Sequence, residues 1–375
     1  MHLTSLGWRT TVGGVLVLVL GLLRGSSVAV AFSVAALSAV LLGFSVVLES
    51  PKVVVTRAVR PREVDRGGMA SVTLSVTSSS GRRPRSMTIL ENVAGIVHVA
   101  SVPPIATGSS YQIEYPVDTT RRGVVECGPL VVRRTDPFGL VQADVTIGDI
   151  GALMVRPRRR VLPMLPVGRQ RDLEGPTKER SEGTSSFHQL REYVPGDDLR
   201  RIHWRSTART GQLMVRQLVD TTKPELVVIV DSRSGASSPE DFEEMVDIAA
   251  TVIHAAERDR YPVELLFSTP DTTNSFGAES TDHFDRLTAI KQSGRDNLFD
   301  LARAVHSRGR SLVFVGSRFS GPDLTMISRI ARGFEPAFLV SVDTDRSTPV
   351  VAPPGMRSIP VRSADEFPAA WMALR

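Results

Sequence analysis

Three residues in one short stretch of the chain have side chains that could do acid–base or metal chemistry. Asp197 and Asp198 follow Pro195-Gly196, and His203 comes five residues later. A histidine near two carboxylates can act as a general base or as a metal ligand, with the carboxylates as its proton or metal partners. One hypothesis for this stretch is therefore a hydrolase that uses Asp197, Asp198 and His203.

The same stretch also supports a structural interpretation, which we favour. Residues 187–211 contain five arginines and three acidic residues. Aspartates that open a helix commonly cap it, and acids at that end suit the helix dipole. We expect a short helix from 198 to 208, ended by Gly211, with its acids in caps and ion pairs and its tryptophan packed under a guanidinium. The residues of this predicted interaction surface are Arg191, Glu192, Asp197, Asp198, Arg200, Arg201, His203, Trp204 and Arg205.

Charge is unevenly distributed along the chain. The net charge is +5, but residues 151–222 hold 14 Lys/Arg against 8 Asp/Glu, and residues 224–375 hold 16 against 22. The basic segment, with its run at 156–160, is expected either to attract the acidic part, to face anionic lipid, or to form a solvated face. A basic, aromatic segment is also typical of nucleic-acid binding. Because acids are interspersed and the following domain is acidic, we expect no nucleic-acid partner.

A second candidate site lies at the end of a predicted buried strand. Residues 225–230 form a continuous apolar run that ends at Asp231, and ligands of parallel sheets bind beyond the carboxyl ends of the strands. Ser232 and Ser234 follow, and carboxylate and hydroxyl oxygens suit Mg²⁺. By resemblance to the metal-ion-dependent adhesion motif of von Willebrand factor A domains, Asp231, Ser232 and Ser234 are the candidate metal ligands, the two serines only if the loop shifts by one residue. Arg233 lies among them, and its guanidinium would compete with Mg²⁺ for the charge of Asp231, so we expect no required cofactor.

Residues 223–375 alternate between strand and helix patterns. The predicted strands are 225–231, 262–268, 311–317, 336–342 and 357–361. The predicted helices are 239–258, 283–291, 296–306, 322–333 and 364–373. This order indicates an α/β domain with a mostly parallel sheet and helices on both faces.

Residues 51–150 have a period of two instead. The predicted strands are 53–59, 70–77, 86–91, 95–101, 110–117, 123–134 and 140–147. Strands of this length and spacing indicate an all-β sandwich. Asp136-Pro137-Phe138-Gly139 is expected to form a turn that anchors Phe138 in the sandwich. Cys127 is expected to be a small core residue, and nothing in this domain resembles a catalytic site.

The first 50 residues are typical of a membrane helical hairpin. Residues 28–48 are uncharged and long enough to span a bilayer, and residues 11–23 are long enough if Arg9 lies at the interface. A signal peptide is the alternative, and the uninterrupted second segment argues against it. Arg9 precedes the hairpin and Lys52, Arg57, Arg60 and Arg62 follow it, whereas Arg24 alone occupies the turn, so positive charge places both ends and the soluble part in the cytoplasm. Cys127 is the only cysteine, which excludes an intrachain disulfide and fits a reducing compartment.

The run Asp231-Ser232-Arg233-Ser234-Gly235 resembles the metal-ion-dependent adhesion motif Asp-x-Ser-x-Ser of von Willebrand factor A domains. Arg233 and Gly235 stand where that motif has hydroxyls, so the resemblance implies the fold more than the metal.

Over its whole length the chain resembles the domain-of-unknown-function 58 family. The resemblance is carried by the two early spans, Arg121-Arg122-Gly123, Asp136-Pro137-Phe138-Gly139, the run from Leu190 to Trp204, and the degenerate A-type domain. It implies a bacterial inner-membrane protein that works with a MoxR-type AAA+ ATPase in envelope or assembly processes. It implies no established reaction.

The sequence therefore predicts four parts: two transmembrane helices (1–50), a β-sandwich (51–150), a basic connector with the family signature (151–222) and a von Willebrand factor A-like domain (223–375). We expect a non-enzymatic, multi-pass membrane adaptor whose partners are a MoxR-type ATPase and the lipid bilayer. The alternatives are the hydrolase described above and a metal-dependent protein-binding module centred on Asp231.

Overall fold

The protein is described by a computed structural model that covers residues 1–48, 53–78, 86–106, 108–163, 185–195, 197, 199–220, 225–269, 282–294, 298–305, 310–345 and 350–374. The chain forms two compact units, Met1–Arg156 and Pro157–Arg375. The second unit thus takes in most of the predicted connector together with the α/β domain. The stretch at 168–186 is polar, contains Gly and Pro and lacks periodicity, so the sequence predicts an exposed loop there. It lies outside the described residues except for its last two, which belong to a strand.

The first unit begins with two antiparallel helices, α1 (Ser5–Arg24) and α2 (Ser27–Leu48). Thr4 caps α1 by accepting a hydrogen bond from the N–H of Gly7, and Gly25 ends the helix in the left-handed conformation at φ 63°. Both helices are long and apolar enough to cross a membrane, with mean hydropathies of 1.7 and 2.4. The two predicted apolar helices are therefore confirmed.

Two β-sheets complete the first unit. Its strands are β1 (His2–Leu3), β2 (Val53–Arg60), β3 (Glu63–Asp65), β4 (Ser71–Ser78), β5 (Met87–Val93), β6 (Ile96–Val102), β7 (Ser110–Pro116), β8 (Gly123–Thr135), β9 (Val141–Ile147) and β10 (Gly151–Arg156). One sheet has the order β2-β4-β7, and the other has the order β1-β9-β8-β10-β3, with β5 and β6 on the opposite side of β8. Alternate residues of β4, among them Leu74, share one core with Ile89 and Val132 of the other sheet. The predicted β-sandwich is therefore present.

The sandwich core contains one thiol and one carboxyl. Cys127 is fully buried, as predicted, and burial raises the pKa of its thiol, with the nearby Glu91 adding to the shift. Glu91 accepts hydrogen bonds from Arg57 and from the hydroxyl of Tyr115. Burial raises the pKa of Glu91 against the opposing effect of Arg57. The pairing with Arg57 compensates for a buried charge and so makes this a structural cluster.

The turn between β8 and β9 differs from its prediction. Phe138 is 67% exposed, so the expectation that it is anchored in the sandwich is wrong. Asp136 is the buried residue instead, and its carboxylate accepts hydrogen bonds from the N–H groups of Phe138 (2.9 Å) and Val141 (2.5 Å). This local bonding satisfies the backbone of the turn without burying the phenylalanine ring.

The second unit is built on a five-stranded parallel sheet. Its strands are β13 (Glu225–Val230), β14 (Val263–Phe267), β15 (Arg310–Gly316), β16 (Ala337–Val342) and β17 (Arg357–Val361), in the order β14-β13-β15-β16-β17. Its helices are α4 (Pro239–Arg258), α5 (His283–Ala289), α6 (Leu298–Ala304), α7 (Gly321–Ala331) and α8 (Phe367–Met372). Successive residues of β13 face opposite sides, because Val228 packs with α4, α5 and α8 whereas Val227 packs with α6 and α7. Helices therefore cover both faces, as the alternating pattern predicts.

Outside this sheet the second unit has a two-stranded antiparallel ribbon, β11 (Ser185–Glu192) with β12 (Met214–Asp220). A 3-10 turn (Leu199–Arg201) and the short helix α3 (Trp204–Thr210) connect the two strands. The run at 213–219 predicts a strand, and β12 lies there. The sequence does not predict β11, because the first part of β11 follows a polar, non-periodic stretch.

The basic run at 156–160 is held by the acidic domain. The N–H and Nε of Arg158 donate to Asp247 at 2.8 and 3.2 Å, and Nε of Arg160 donates to Asp365 at 2.6 Å. The guanidinium of Arg159 lies 5.3 Å from the ring centroid of Phe284. The expected attraction between the basic segment and the acidic domain is therefore present in these pairs.

Candidate interaction site

The turn that follows β11 is fixed by one ion pair. The guanidinium of Arg191 donates two hydrogen bonds to Asp197, at 2.8 and 2.7 Å. Asp197 also accepts the N–H of Val194 at 2.9 Å. A bidentate pair of this kind gives geometric specificity as well as energy. Asp197 therefore closes the turn, and both of its carboxylate oxygens are engaged.

The helix predicted at 198–208 is divided in two, and its cap is not an aspartate. His203 is the N-cap of α3: its Nδ1 accepts the N–H of Ser206 at 3.2 Å and lies 2.8 Å from the Ser206 hydroxyl. The N–H of His203 donates to Met214 of β12 at 2.8 Å. This β-type contact interrupts the helix before Trp204. Gly211 ends α3 at φ 76°, as predicted.

The outer side of this segment is apolar and basic. Trp204 is 66% exposed, so most of its surface is open to solvent. Its expected packing under a guanidinium stays a prediction, because the side chain of Arg201 lies outside the described residues. The other large apolar side chains of the segment that are exposed are Val194, Leu199 and Leu213. Charged residues of the segment that are exposed include Glu192, Arg200, Arg205 and Arg209. Exposed tryptophan and arginine on an ordered element are typical of protein-binding surfaces.

The structure uses the proposed catalytic groups for local bonding. Asp197 is paired with Arg191, and His203 caps α3. Asp198 and the side chain of Arg201 lie outside the described residues. Asp197 and His203 therefore have structural roles. The hydrolase hypothesis stays untested at Asp198.

The second candidate site, at the carboxyl end of β13, is closed by an internal cation. Asp231 is fully buried. Arg233 donates from Nε to one oxygen of Asp231 at 3.0 Å and from a terminal nitrogen to the other at 2.8 Å. A third guanidinium nitrogen donates to Asp323 at 2.6 Å. The hydroxyl of Ser268 also donates to Asp231, at 2.7 Å. Both oxygens of Asp231 are therefore bonded within the protein.

The charges of this cluster stabilise one another. Burial alone would lower the pKa of the Arg233 guanidinium, but hydrogen bonds to Asp231 and Asp323 outweigh it and the pKa is raised. Burial alone would raise the pKa of Asp323, but hydrogen bonds from Arg233 and Ser320 outweigh it and the pKa is lowered. Asp323 therefore stays ionised and Arg233 stays charged under neutral conditions.

The other two candidate metal ligands do not complete an oxygen cage. The hydroxyl of Ser232 is buried and lies 2.6 Å from the hydroxyl of Thr269. Ser234 is exposed, and its N–H donates to Ser293. Mg²⁺ requires near-octahedral oxygen coordination. The guanidinium of Arg233 already binds both oxygens of the Asp231 carboxylate, which would have to be one of the ligands. Among the described residues there is also no group of three or more His, Cys, Asp or Glu that could hold a metal ion. The residues present do not fit Mg²⁺.

Sequence reasoning missed Asp323 and Asp241, which connect the loops at this edge. Asp241 accepts hydrogen bonds from the hydroxyls of Ser317 (3.1 Å) and Thr344 (2.8 Å). Burial would raise the pKa of Asp241, but the bonds from Thr344 and its other donors outweigh it and the pKa is lowered. Both aspartates are the third residue of a helix in a capping box, with Ser238 and Ser320 as the caps. The pattern Ser-Pro-x-Asp or Ser-x-x-Asp was the available signal for them.

Comparison with known proteins gives partial likenesses. A CARDB domain from Pyrococcus furiosus, solved in complex with di-metal ions, is 16% identical, covers 29% of this chain and 96% of its own, and superposes with a TM-score of 0.23. A PKD domain of an M14-like peptidase from the Thermoplasmatales archaeon SCGC AB-540-F20 is 12% identical, covers 28% of this chain and 98% of its own, and has a TM-score of 0.18. At such scores these structures support no conclusion about function.

A curated relative matches part of the chain. The uncharacterized protein YeaD of Bacillus subtilis (strain 168) is 25% identical over 148 residues, which are 39% of this chain and 36% of YeaD. The chain thus spans about a third of the relative's length. Residues 189–346, which contain both Trp204 and Asp231, match the family described as protein of unknown function DUF58.

Proposed function

We propose that this protein is a non-enzymatic, membrane-anchored adaptor that docks a MoxR-type AAA+ ATPase through the segment around Trp204. The observation that carries the proposal is the exposed indole of Trp204 on a helix that is fixed at its start by His203. A large aromatic side chain left in water on an ordered element has no structural use there and is suited to burial by a partner. The choice of a MoxR-type ATPase rests on the resemblance of this chain to the domain-of-unknown-function 58 family.

The charges of the segment point to an acidic surface on the partner. Arg200 and Arg205 flank Trp204 in sequence and are exposed. Complementary charge speeds association and selects among partners, whereas the apolar anchor supplies most of the affinity. The adaptor would therefore dock by an aromatic anchor inside a basic rim.

The membrane anchorage is supported by contacts at both ends of the hairpin. At the start of α1, the hydroxyl of Thr4 donates to Gly139 of the β8–β9 turn at 2.5 Å. At the end of α2, Arg134 donates to the carbonyl of Val47 at 2.9 Å. The sandwich therefore lies at the end of the hairpin opposite the Arg24 turn, which supports two spans with both ends on one side. The positive charge at those ends favours the cytoplasm.

The second unit is proposed to be a von Willebrand factor A-like domain. In support, its sheet is parallel and Asp231 follows its first strand, next to the point where the strand order reverses between β13 and β15. In this proposal Arg233 takes the role that a metal has in the adhesion motif, so partner binding would need no divalent cation.

The test is capture of the ATPase from detergent-solubilised membranes by the tagged full-length protein, with the partner identified by mass spectrometry. Trp204→Ala and the double reversal Arg200→Glu/Arg205→Glu should each lose most of the captured ATPase. The matched control Arg329→Glu/Arg332→Glu reverses two other exposed arginines and should keep it. Equal capture by all four proteins would refute the docking surface. Retention of the ATPase in the presence of EDTA is the expected result for a metal-independent contact.

A further inference from the structure

We propose that Phe138, at the tip of the β8–β9 turn, inserts into the cytoplasmic interface of the bilayer and fixes the sandwich against the membrane. This inference rests on the membrane anchorage of the proposed function. Phe138 is 67% exposed although it belongs to a tightly bonded turn. A single exposed phenylalanine is tolerated in water, but one beside two apolar helices is suited to the bilayer interface that would surround those helices.

The turn lies alongside the helices rather than beyond them. A Cβ atom added to Gly7 of α1 would meet the carbonyl oxygen of Leu140 at 2.0 Å. A Cβ added to Gly43 of α2 would meet Val141 at 3.0 Å and the carboxyl carbon of Asp136 at 3.4 Å. The turn and early β9 therefore contact both helices at glycines, through the backbone at Gly7 and through side chains at Gly43.

The positions of these glycines give the depth of the turn. Gly7 is two residues inside α1 and Gly43 is five residues from the end of α2, which is about 3 Å and about 7 Å along the helix axes at the α-helical rise. Val40 and Val47 of α2 also form a small core with Val141 of β9. Interfacial segments bury their apolar side about 5–10 Å into the boundary between headgroups and acyl chains. If α1 and α2 span a membrane, the turn therefore lies at the depth of the interface.

Several polar groups of the turn are already satisfied, as that depth requires. Asp136 accepts two backbone N–H groups of the turn, and Gly139 donates its N–H to the carbonyl of Asp136 at 2.9 Å. Thr4 satisfies the carbonyls of Gly139 and Leu140 through its hydroxyl and its N–H. Unsatisfied backbone groups would be costly near hydrocarbon. These groups of the turn can enter the interface without that cost.

A second aromatic residue marks the same level. Trp8 lies in the first turn of α1, directly after Gly7, and is exposed. Tryptophan and other amphipathic aromatics concentrate at the membrane–water interface. Trp8 and Phe138 would therefore belong to one aromatic girdle on the cytoplasmic side, one residue from a span and the other from the sandwich.

The experiment measures depth in full-length protein reconstituted into phosphatidylcholine/phosphatidylglycerol nanodiscs. Single cysteines are introduced as Phe138→Cys, Leu16→Cys and Val97→Cys, and a nitroxide is attached to each; the native Cys127 is fully buried. Leu16 lies in the middle of α1. Val97 is exposed on β6, near the tip of the β5–β6 hairpin. That tip lies next to Cys127 of β8, and Cys127 is eight residues along β8 from Thr135. Position 97 is therefore the control that lies away from the β8–β9 turn. Collision rates with oxygen and with a water-soluble nickel chelate then report depth.

We expect the ratio of oxygen to nickel collisions to be highest at position 16. At position 138 it should be several-fold above the ratio for a nitroxide in water, and at position 97 it should equal that ratio. A ratio at 138 equal to that at 97, with 16 still deep, would overturn the inference and leave the anchorage intact. An aqueous ratio at 16 would overturn the anchorage and this inference with it. If Phe138→Cys does not fold, Phe138→Trp replaces it, and its added fluorescence must be quenched by brominated lipids for the inference to stand.

Discussion

The guanidinium of Arg233 binds both carboxylate oxygens of Asp231, two residues earlier in the chain, at 3.0 and 2.8 Å. Asp231 has no exposed surface, so its charge is compensated by this contact and by Ser268. The same guanidinium extends to Asp323 at the first turn of α7. One side chain thus joins the end of β13 to the start of α7, at the edge where a parallel sheet normally holds its ligand.

Removing this cation should be strongly destabilising. Arg233→Ala leaves Asp231 buried and without its main partner, and the loss of one member of a buried pair costs about 3 kcal/mol or more. We expect a marked fall in the thermal midpoint of the second unit, measured by scanning fluorimetry in detergent. The control is Arg258→Ala, whose pair with Asp259 is largely solvated. If the two variants have the same thermal midpoint, the Asp231–Arg233 contact does not contribute to stability.

The same position should decide metal binding. The wild-type protein should give no heat with Mg²⁺ or Mn²⁺ in calorimetry, because the cation that Asp231 needs is already present. The double variant Arg233→Ser/Gly235→Ser restores the hydroxyls of the adhesion motif and should bind Mg²⁺. Adding Asp231→Asn to that variant should abolish the binding. Heat from the wild type that Asp231→Asn removes would instead support the metal-dependent module.

Acid should loosen the loops around Asp241. The folded state lowers the pKa of this carboxyl below the ordinary aspartate value, so its stabilisation is complete above that value and is lost as pH falls through the folded-state pKa. We expect Asp241→Asn to lower the thermal midpoint at pH 7 and to reduce its dependence on pH below about 4. Asp300→Asn removes one exposed acid from α6 and serves as the control for net charge. A parallel pH curve in Asp241→Asn and wild type would contradict the assignment.

His203 provides the sharpest distinction between a cap and a catalyst. Asparagine and serine are good N-caps, whereas alanine is not, and the difference is about 1 kcal/mol. His203→Ala should therefore lower stability and weaken ATPase capture, and His203→Asn should restore both. A hydrolase would lose turnover equally in the two variants. Activity of the wild-type protein that His203→Asn abolishes without a change in stability would favour the catalytic hypothesis.

Sequence patterns predicted the elements well where the pattern and the burial agree. The helix at 239–258 is correct to the residue because Ser238 and Pro239 mark its start and its apolar face meets the sheet. The segment before Trp204 was harder, since the register of β12 draws His203 into a backbone contact that local propensity does not encode.

Other misses have a different cause. Phe138 is predicted to lie in the sandwich because large apolar residues usually lie inside, but its turn packs beside the apolar helices α1 and α2 and leaves the ring exposed. Asp323 accepts a hydrogen bond from Arg233, which is 90 residues earlier in the sequence. A local sequence pattern cannot predict a pair with that separation. Arg233 and Gly235 stand where the adhesion motif has hydroxyls, which argues against a metal at Asp231, and the absence of a metal stays a prediction.

The contact between the hairpin and the sandwich can be tested with two glycines of one helix. A methyl group at Gly7 would meet the Leu140 carbonyl at 2.0 Å, whereas one at Gly13 would meet nothing within 4 Å. Both substitutions raise helix propensity by a similar amount, so a difference between them reports the contact. We expect Gly7→Ala to lower the thermal midpoint of the first unit and to increase protease cleavage between α2 and β2, and Gly13→Ala to be neutral or slightly stabilising. If Gly7→Ala is as stable as Gly13→Ala, then the turn does not pack on α1, and the depth assigned to Phe138 loses its geometric basis.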